Sequence, residues 1–231
     1  MSASKSTPRT APPEVRRKQL MDATISCIAR AGISGTTLTA IARDAGLSLG
    51  LANFHFKSKD ILLSETLRHL ADEHRDMWMR DVRRGDLSAA DKLRSIVDAQ
   101  FHPQISSRKK LAVWFAFFGE AGHRKSYRLI TSQIDMERQD ICAELCADII
   151  AEGGYGGVDA EATALTLEGM FDGLWLNMLM YPAKFTRQDA ARRVLDYLGL
   201  VFPGRFDVCQ SRRARDVGNG GGPGQPFSQA D

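Results

Sequence analysis

The sequence predicts an all-α fold of about nine helices, with a small N-terminal head and a larger helical body. Apolar residues recur at three- and four-residue spacing through almost the whole chain, and no alternating strand pattern of useful length interrupts them. Hydrophobic residues make up 43% of the 231 residues, which is enough for a sizeable core. Residues 1–13 are rich in Ser, Thr and Pro and the end of the chain is rich in Gly, so we expect both ends to be disordered.

Residues that commonly begin or end helices mark the individual elements. The first helix is predicted over 14–31, and Gly32 ends it. Three hydroxyl residues then mark helix starts: Thr37 and Ser48 each begin a short helix, and Ser58 begins a long one. The remaining helices are predicted at about 88–102, 109–122, 124–152, 159–181 and 186–200.

Positive charge is concentrated at the N-terminal end of the chain. Residues 1–60 carry nine Lys and Arg against four Asp and Glu, although the formal net charge of the whole chain is only +3. A basic end on a near-neutral body indicates a polyanionic partner for that end. No apolar run is long enough to span a membrane, and the basic start is not followed by an apolar segment, so we expect a cytoplasmic protein without a membrane partner. The four cysteines form neither a disulfide framework nor a zinc set, and no cofactor or metal is predicted.

Residues 42–62 have the pattern of two short helices that cross at a tight turn. Gly46 supplies the small residue that such a turn needs, and Ala42 the tiny one where the helices touch. In a helix-turn-helix, the amino end of the second helix enters the major groove of DNA. The alternative is an ordinary helical hairpin with Phe54 and Phe56 in its core. The residues that we expect to meet bases or phosphates are Thr37, Thr39, Ser48, Leu49, Gly50, Asn53, Phe54, His55 and Lys59.

The stretch TLTAIARDAGLSLGLANFHFKSKDILL resembles the DNA-binding signature of the TetR family of transcriptional regulators. It matches Thr–apolar–x–x–Ile–Ala, Ala–Gly–Val–Ser–x–Gly and aromatic–x–Phe–x–x–Lys, with Leu47 in place of Val. Asn53 stands where many members have a phosphate-contacting Tyr. The resemblance implies a homodimeric repressor on a pseudo-palindromic DNA operator, although activation is an alternative. The implied domains are a basic arm at 1–13, a helix-turn-helix domain at 14–60, a ligand-binding and dimerisation domain at 61–207, and a Gly-rich tail at 208–231.

Two aromatic-rich segments of the body predict a binding site for a small cation. They are LAVWFAFFGEAGHRKSYRLI, residues 111–130, and LEGMFDGLWLNMLMY, residues 167–181. Asp172 is costly to bury unpaired, and aromatic faces attract quaternary ammonium groups. The competing interpretation is an ordinary aromatic core in which Asp172 pairs with an arginine such as Arg128. The residues of the predicted cage are Trp114, Phe117, Phe118, Tyr127, Asp172 and Trp175.

These two segments also resemble the choline-sensing, BetI-type branch of the TetR family. That branch has Trp–x–x–Phe before a His and a Tyr–Arg–Leu, and Asp–Gly–Leu–Trp–Leu in its penultimate helix. Phe118 stands where the branch often has Trp. The resemblance implies that choline or a related small quaternary ammonium compound binds the body and releases the operator DNA. The matching positions are Trp114, Phe117, His123, 127–129 and 172–176.

Two other functions fit parts of the sequence. A multidrug-type repressor would use the same aromatic residues to bind bulky lipophilic cations. A small helical enzyme would use Glu168, Asp172 or His123 as acid and base. Neither a nucleophile motif, nor metal-ligand spacing, nor a phosphate loop accompanies those residues, so we predict a regulator and not an enzyme.

Overall fold

The computed structural model describes residues 11–206, which form nine helices and contain no strand. This confirms the predicted all-α fold. Most of the predicted arm at 1–13 and all of the predicted tail at 208–231 lie outside the described residues. The helices are α1 (Pro13–Gly35), α2 (Leu38–Asp44), α3 (Leu49–His55), α4 (Lys59–Val82), α5 (Ala89–Gln100), α6 (Arg108–Ala121), α7 (Lys125–Gly153), α8 (Ala160–Met180) and α9 (Arg187–Val201).

Side-chain caps begin the helices of the head where the sequence predicts them. The hydroxyl oxygens of Thr37, Ser48 and Ser58 each accept a hydrogen bond, at 3.1–3.2 Å, from the backbone N–H three residues later. Gly32 differs from the prediction, because α1 resumes after it for one more turn. Its φ of +68° breaks the regular helix, a conformation that glycine adopts without strain.

Two separate hydrophobic clusters divide the described residues. The smaller cluster lies in the head, between α1, α2, α3 and the first turn of α4. The larger one fills the body between α4 and α9. Both α1 and α4 belong to the two clusters at once, so they connect the head rigidly to the body. In α1, Cys27 lies in the small cluster and Ile28 in the large one, and in α4 the same is true of Leu62 and Leu63.

Polar contacts add to this connection between head and body. Lys109, at the start of α6, donates a hydrogen bond to the Ser26 hydroxyl of α1 at 2.6 Å. Arg124, just before α7, forms an ion pair with Asp60 at the start of α4, at 3.0 Å. These contacts tie the helices that carry the predicted cage to the helices that flank the turn motif. Within the described residues, every helix is too short or too polar to cross a membrane.

We predict that Phe56→Ala lowers the free energy of unfolding by about 3–5 kcal/mol, because the fully buried ring fills the head core. Phe54→Ala is the matched control. Its ring is 78% exposed, so removing it changes the free energy of unfolding by no more than about 0.5 kcal/mol. Urea unfolding followed by circular dichroism measures both, and equal losses in the two variants would contradict the assignment.

Candidate DNA-reading and cation-binding sites

The turn between α2 and α3 is held by backbone hydrogen bonds and by one side chain from α1. Gly46 has a φ of +66°, which lets its N–H donate to Arg43 O and the next N–H donate to Ala42 O, at 3.0 and 2.9 Å. Gln19 of α1 donates to Ala45 O at 2.6 Å. The fully buried Ala52 of α3 completes the contact between the helices. The turn therefore fixes the direction of α3 relative to the head.

The outer face of α3 is left without protein contacts over much of its surface. Leu49 and Phe54 are 42% and 78% exposed, and Gly50 and Asn53 are also exposed. Phe56 alone of the two phenylalanines enters the core, so the ordinary hairpin with both rings buried does not describe this head. Exposed apolar and amide groups on such a helix can meet thymine methyls and base edges.

Hydroxyl and basic groups surround this face. Thr37 and Ser48 accept the cap hydrogen bonds, so each hydroxyl keeps its own proton to donate. Thr39 is exposed, and His55 is half-buried with its ring edge-on to Phe54 at 5.2 Å. Lys59 donates to Ile33 O at 2.8 Å, so one of its three ammonium protons is already used.

Sequence reasoning missed two cations beside the same face. Arg43 on α2 and Lys57 between α3 and α4 are both exposed. Such groups supply contacts to DNA phosphates that do not depend on base sequence. Searching the helices around the turn for every Lys and Arg would have found them.

A second site lies in the body, where α4 to α8 converge on a narrow cavity. Its free volume is about 10 Å³, room for one water molecule. Both acidic and aromatic side chains line it. The lining residues are His74, Gln100, Trp114, Phe118, Ile134, Asp135, Arg138, Phe171, Asp172 and Trp175.

Aromatic rings form one side of this cavity. Trp114 lies 6.1 Å from Trp175 and 5.8 Å from Phe118, measured between ring centroids. The imidazole of His74 lies 5.5 Å from Trp175. The indole N–H of Trp175 donates to Gln100 O at 2.9 Å, which fixes the orientation of this ring. The structure therefore brings together four of the six predicted cage residues: Trp114, Phe118, Asp172 and Trp175.

Phe117 and Tyr127 do not line the cavity. Residues three and four positions after Trp114 lie on opposite sides of it around the helix, so Phe118 faces the cavity and Phe117 faces away. Phe117 instead packs edge-on against Tyr127 at 5.1 Å, and Arg124 lies over the tyrosine ring. These two residues belong to the core beside the junction of head and body.

Carboxylates outnumber cations around the cavity. Arg138 is buried and forms ion pairs with Glu168 and, at 3.0 Å, with Asp135. Among the described residues Asp172 has no ion pair, and Arg138 is the arginine whose charge acts on it. The competing interpretation, in which Asp172 pairs with an arginine such as Arg128, is therefore not observed. Arg128 lies exposed on α7. Three carboxylates thus surround one guanidinium.

Burial and like charge change the titration of these groups. Asp172 keeps an exposed edge. Desolvation of its carboxyl, together with the neighbouring Asp135 and Glu168 carboxylates, which outweigh Arg138, raises its pKa to about 6. Burial also raises the pKa of Asp135. The pKa of His74 is well below its usual value, first because of burial and then because of Arg138, so the imidazole is neutral at pH 7. The cavity therefore carries net negative charge at that pH.

Sequence reasoning also missed all of the polar lining residues except Asp172: His74, Gln100, Asp135 and Arg138. His74 lies on the buried face of α4, which also carries Leu67 and Leu70. The signal that was available is a polar residue at a position that helical periodicity predicts to be buried. The pattern of one helix does not reveal which polar residues of other helices it faces.

Three larger hollows in the described residues lack the chemistry of this cavity. One of about 960 Å³ lies open on the head, between α1 and α2, and charged groups of both signs line it. Another, of about 270 Å³, lies between α4 and α7 and shares Ile134 with the cavity. The third, of about 510 Å³, lies at residues 156–161, before and at the start of α8. None of the three is lined by an aromatic side chain. The aromatic, acidic cavity is therefore the candidate cation site.

Comparisons with known proteins agree with this arrangement. The family described as bacterial regulatory proteins of the tetR family matches residues 20–66, and the family described as the C-terminal part of BetI-type transcriptional repressors matches residues 89–203. The HTH-type transcriptional regulator BetI of Paraburkholderia xenovorans is 34% identical over 195 residues, which cover 83% of this chain and 96% of that one. BetI of Burkholderia cenocepacia is 30% identical over 197 residues, 84% and 97% of the two chains.

A helix-turn-helix head joined to a helical ligand-binding body defines a DNA-binding transcriptional regulator. The chain belongs to the TetR family, and its relatives are BetI-type repressors. The predictions of a repressor and of a protein that is not an enzyme are confirmed by these relatives. Glu168, one of the acids in the enzyme alternative, is paired with Arg138.

Solved structures share the fold with different ligands. A transcriptional regulator from Pseudomonas aeruginosa is 26% identical, with a TM-score of 0.73, and covers 85% of this chain and 95% of its own. A regulator from Saccharomonospora viridis, solved in complex with choline, is 21% identical, with a TM-score of 0.68 and coverage of 80% and 96%. FadR of Bacillus subtilis, solved with stearoyl-CoA, is 19% identical, with a TM-score of 0.65 and coverage of 81% and 98%. The shared fold does not select the ligand, so the side chains must.

We predict that Asp172→Asn raises the melting temperature at pH 7.5 by up to about 2–4 °C. The substitution removes a negative charge whose desolvation is unfavourable, and the partial exposure of the side chain limits the gain. The folded-state pKa is raised, so the wild-type protein loses stability as the pH rises from about 4 to about 6. The gain in the variant should therefore shrink as the pH falls through 6. Thermal unfolding at several pH values measures this, and a lower melting temperature of the variant at pH 7.5 would contradict it.

Proposed function

We propose that the protein is a homodimeric repressor that binds choline or a related small quaternary ammonium compound and then releases its operator DNA. The observation that carries the proposal is the narrow cavity in which Trp114, Phe118 and Trp175 meet the unpaired Asp172. The expected domain division, with the head at 14–60 and the body at 61–207, is part of it. The two hydrophobic clusters support that division.

Charge favours a cationic ligand. One guanidinium among three carboxylates leaves net negative charge, which an anionic ligand would increase and a cation would offset. The aromatic faces add a contribution of about 0.5–2 kcal/mol for a desolvated ammonium group. A quaternary ammonium group has no N–H to satisfy, so it suits a wall made mainly of rings.

Size favours a small cation over the bulky lipophilic cations of the multidrug alternative. The free volume of about 10 Å³ is far below the several hundred Å³ typical of sites for drug-sized ligands. Even a small ligand must push the walls apart. A larger one must also break the packing of the surrounding core, where Phe171 and Ile134 are buried.

Widening of the cavity couples ligand binding to DNA binding. Two of its walls are α4 and α6. Lys109 of α6 contacts Ser26 in α1, and α4 shares residues with the head core. Arg124, between α6 and α7, pairs with Asp60 at the start of α4. A ligand that favours the wider body favours a different head position and weakens DNA binding by the difference in free energy between the two states.

An exposed apolar face on α8 and α9 supports a dimer. Leu165, Leu176 and Met180 on α8 and Leu200 on α9 are exposed large apolar residues. Pairing of these helices with their copies would form a four-helix bundle and set two heads roughly 34–36 Å apart, one turn of a pseudo-palindromic operator. The protein then acts where its DNA lies, in the cytoplasm.

We predict that choline quenches tryptophan fluorescence saturably and that Asp172→Asn weakens choline binding at least about tenfold, since the isosteric amide removes the charge without changing the shape. In the wild type the affinity should fall as the pH is lowered through about 6, because protonation neutralises Asp172. Choline should also release DNA duplexes selected from a random pool, which fluorescence anisotropy measures.

Two controls make this test specific. Trp175→Phe keeps an aromatic wall but loses the hydrogen bond to Gln100 O, so choline binding should weaken and not vanish. Phe54→Ala should lower DNA affinity and leave choline binding unchanged. Absence of any choline response in the intact, folded protein would refute the choline proposal and leave the DNA-binding repressor standing.

We predict that Leu176→Glu converts the dimer to a monomer, because it places a charge in the centre of the apolar α8 face. Sedimentation velocity measures the association state. Lys125→Glu, on exposed α7 surface away from that face, is the matched control and should stay dimeric. A wild-type monomer, or a DNA footprint that protects one asymmetric half-site, would rule out the dimer.

A further inference from the structure

Two buried polar side chains that line the cavity each have one nitrogen without a hydrogen-bond partner. His74 of α4 and Gln100 of α5 are 2% and 1% exposed, and both line the cavity. Within residues 11–206, Nε2 of His74 and Nε2 of Gln100 form no hydrogen bond. Buried polar groups are nearly always paired, so two such atoms on one cavity point to a polar group of the ligand.

The remaining polar atoms of His74 and Gln100 determine whether each unpaired nitrogen donates or accepts a hydrogen bond. The Gln100 side chain favours the protonated form of the His74 imidazole, which indicates that the amide oxygen faces a ring nitrogen. Since Nε2 has no partner, we assign the ring proton to Nδ1, as the donor to that oxygen. In the neutral ring Nε2 then carries the lone pair and accepts, whereas the amide Nε2 of Gln100 donates.

A hydroxyl group is the ligand group that satisfies both atoms with one oxygen. We propose, on the basis of the proposed cation site, that His74 and Gln100 form a hydroxyl-specific subsite that selects an amino alcohol over a betaine carboxylate or an alkyl ammonium ion. The ligand O–H donates to His74 Nε2, and the same oxygen accepts from Gln100 Nε2. The ammonium end then lies against Asp172 and the indole rings.

The two competing ligand types each leave a penalty. A carboxylate can only accept, so it places an oxygen lone pair against that of His74 and adds negative charge to a cavity already rich in carboxylates. An ethyl group in place of the hydroxyethyl group leaves both buried atoms unpaired. A site built to bond a hydroxyl group therefore discriminates against ligands that lack it.

The subsite also places the ligand across different helices. His74 belongs to α4, which continues into the head, and Gln100 ends α5, whereas Asp172 belongs to α8. Trp175 joins the two ends, since it contacts the imidazole ring and donates to Gln100 O. A cation with a hydroxyl group thus forms a hydrogen bond to α4 through His74, and a cation without the hydroxyl group does not.

Calorimetric titration of the full chain with three ligands tests the proposal. The ligands are choline, ethyltrimethylammonium, which lacks only the hydroxyl, and glycine betaine, which carries a carboxylate. We expect choline to bind at least tenfold more tightly than either of the others. Equal affinity for choline and ethyltrimethylammonium, or tighter binding of betaine, would overturn the hydroxyl subsite while the cation site stands.

Variants then test the assigned residues. Gln100→Met keeps the backbone acceptor for Trp175 and removes the amide donor, and His74→Phe keeps a ring and removes the acceptor. Each should weaken choline binding about tenfold and leave ethyltrimethylammonium binding nearly unchanged. Phe118→Leu is the matched control, because it weakens the ammonium end and should lower both affinities by the same factor.

The outcomes separate the two proposals. If none of the three ligands binds the folded wild-type protein, the proposed cation site fails. If choline is preferred but the preference survives in both variants, the assignment to His74 and Gln100 is overturned. If a variant does not fold, the wild-type ratio of the three affinities still decides whether a hydroxyl group is recognised.

Discussion

The body is organised around one buried arginine and the carboxylates that compensate it. Arg138 of α7 pairs with Glu168 of α8 and with Asp135 on its own helix, and this pairing holds the two long helices at a fixed register. A buried guanidinium without partners would cost several kcal/mol. Asp172 lies one turn after Glu168 and has no ion-pair partner among the described residues, so desolvation and then the neighbouring carboxylates raise its pKa. The negative cage is thus a by-product of the contact that positions α8.

The connection between cage and head depends on helices that belong to both. In α1 and α4, adjacent residues enter different hydrophobic clusters, so neither helix can shift in the body without shifting in the head. Close packing makes such a junction stiff. The small volume of the cage also couples the body to the head. A ligand cannot enter without moving a wall of the cage, and α4 is one of the walls. In the proposed mechanism, binding energy spent on that movement is the energy available to change the position of α3.

The sequence was sufficient for most of the fold and for part of the sites. Caps at Thr37, Ser48 and Ser58 and the turn at Gly46 are local signals, and they predicted the head correctly. Trp114, Phe118 and Trp175 were found because their segments are short and strongly aromatic. Phe117 was grouped with them because adjacency in sequence hides the roughly 100° of helix rotation that separates it from Phe118. Tyr127 belongs to α7, and the sequence does not show which side of that helix meets α6.

Polar partners across helices were harder to predict. His74, Gln100 and Arg138 come from three different helices, and only the packing of the bundle brings them together. The choice between Arg128 and Arg138 as the neighbour of Asp172 likewise depends on which face of α7 meets α8. The pattern of α7 is weak in this respect, because exposed Leu129 and Met136 interrupt the separation of apolar and polar faces.

The central claim is that a small cation in the body moves the DNA-reading heads, and a distance between heads tests it most directly. Spin labels at Lys57→Cys, an exposed position beside α3, in a Cys209→Ser background report that distance across the dimer by double electron–electron resonance. We expect choline to shift the distance in the wild-type cage and to leave it unchanged, at the same choline concentration, in Asp172→Asn. Saturating choline that binds the wild-type protein without any change in the distance would contradict the account.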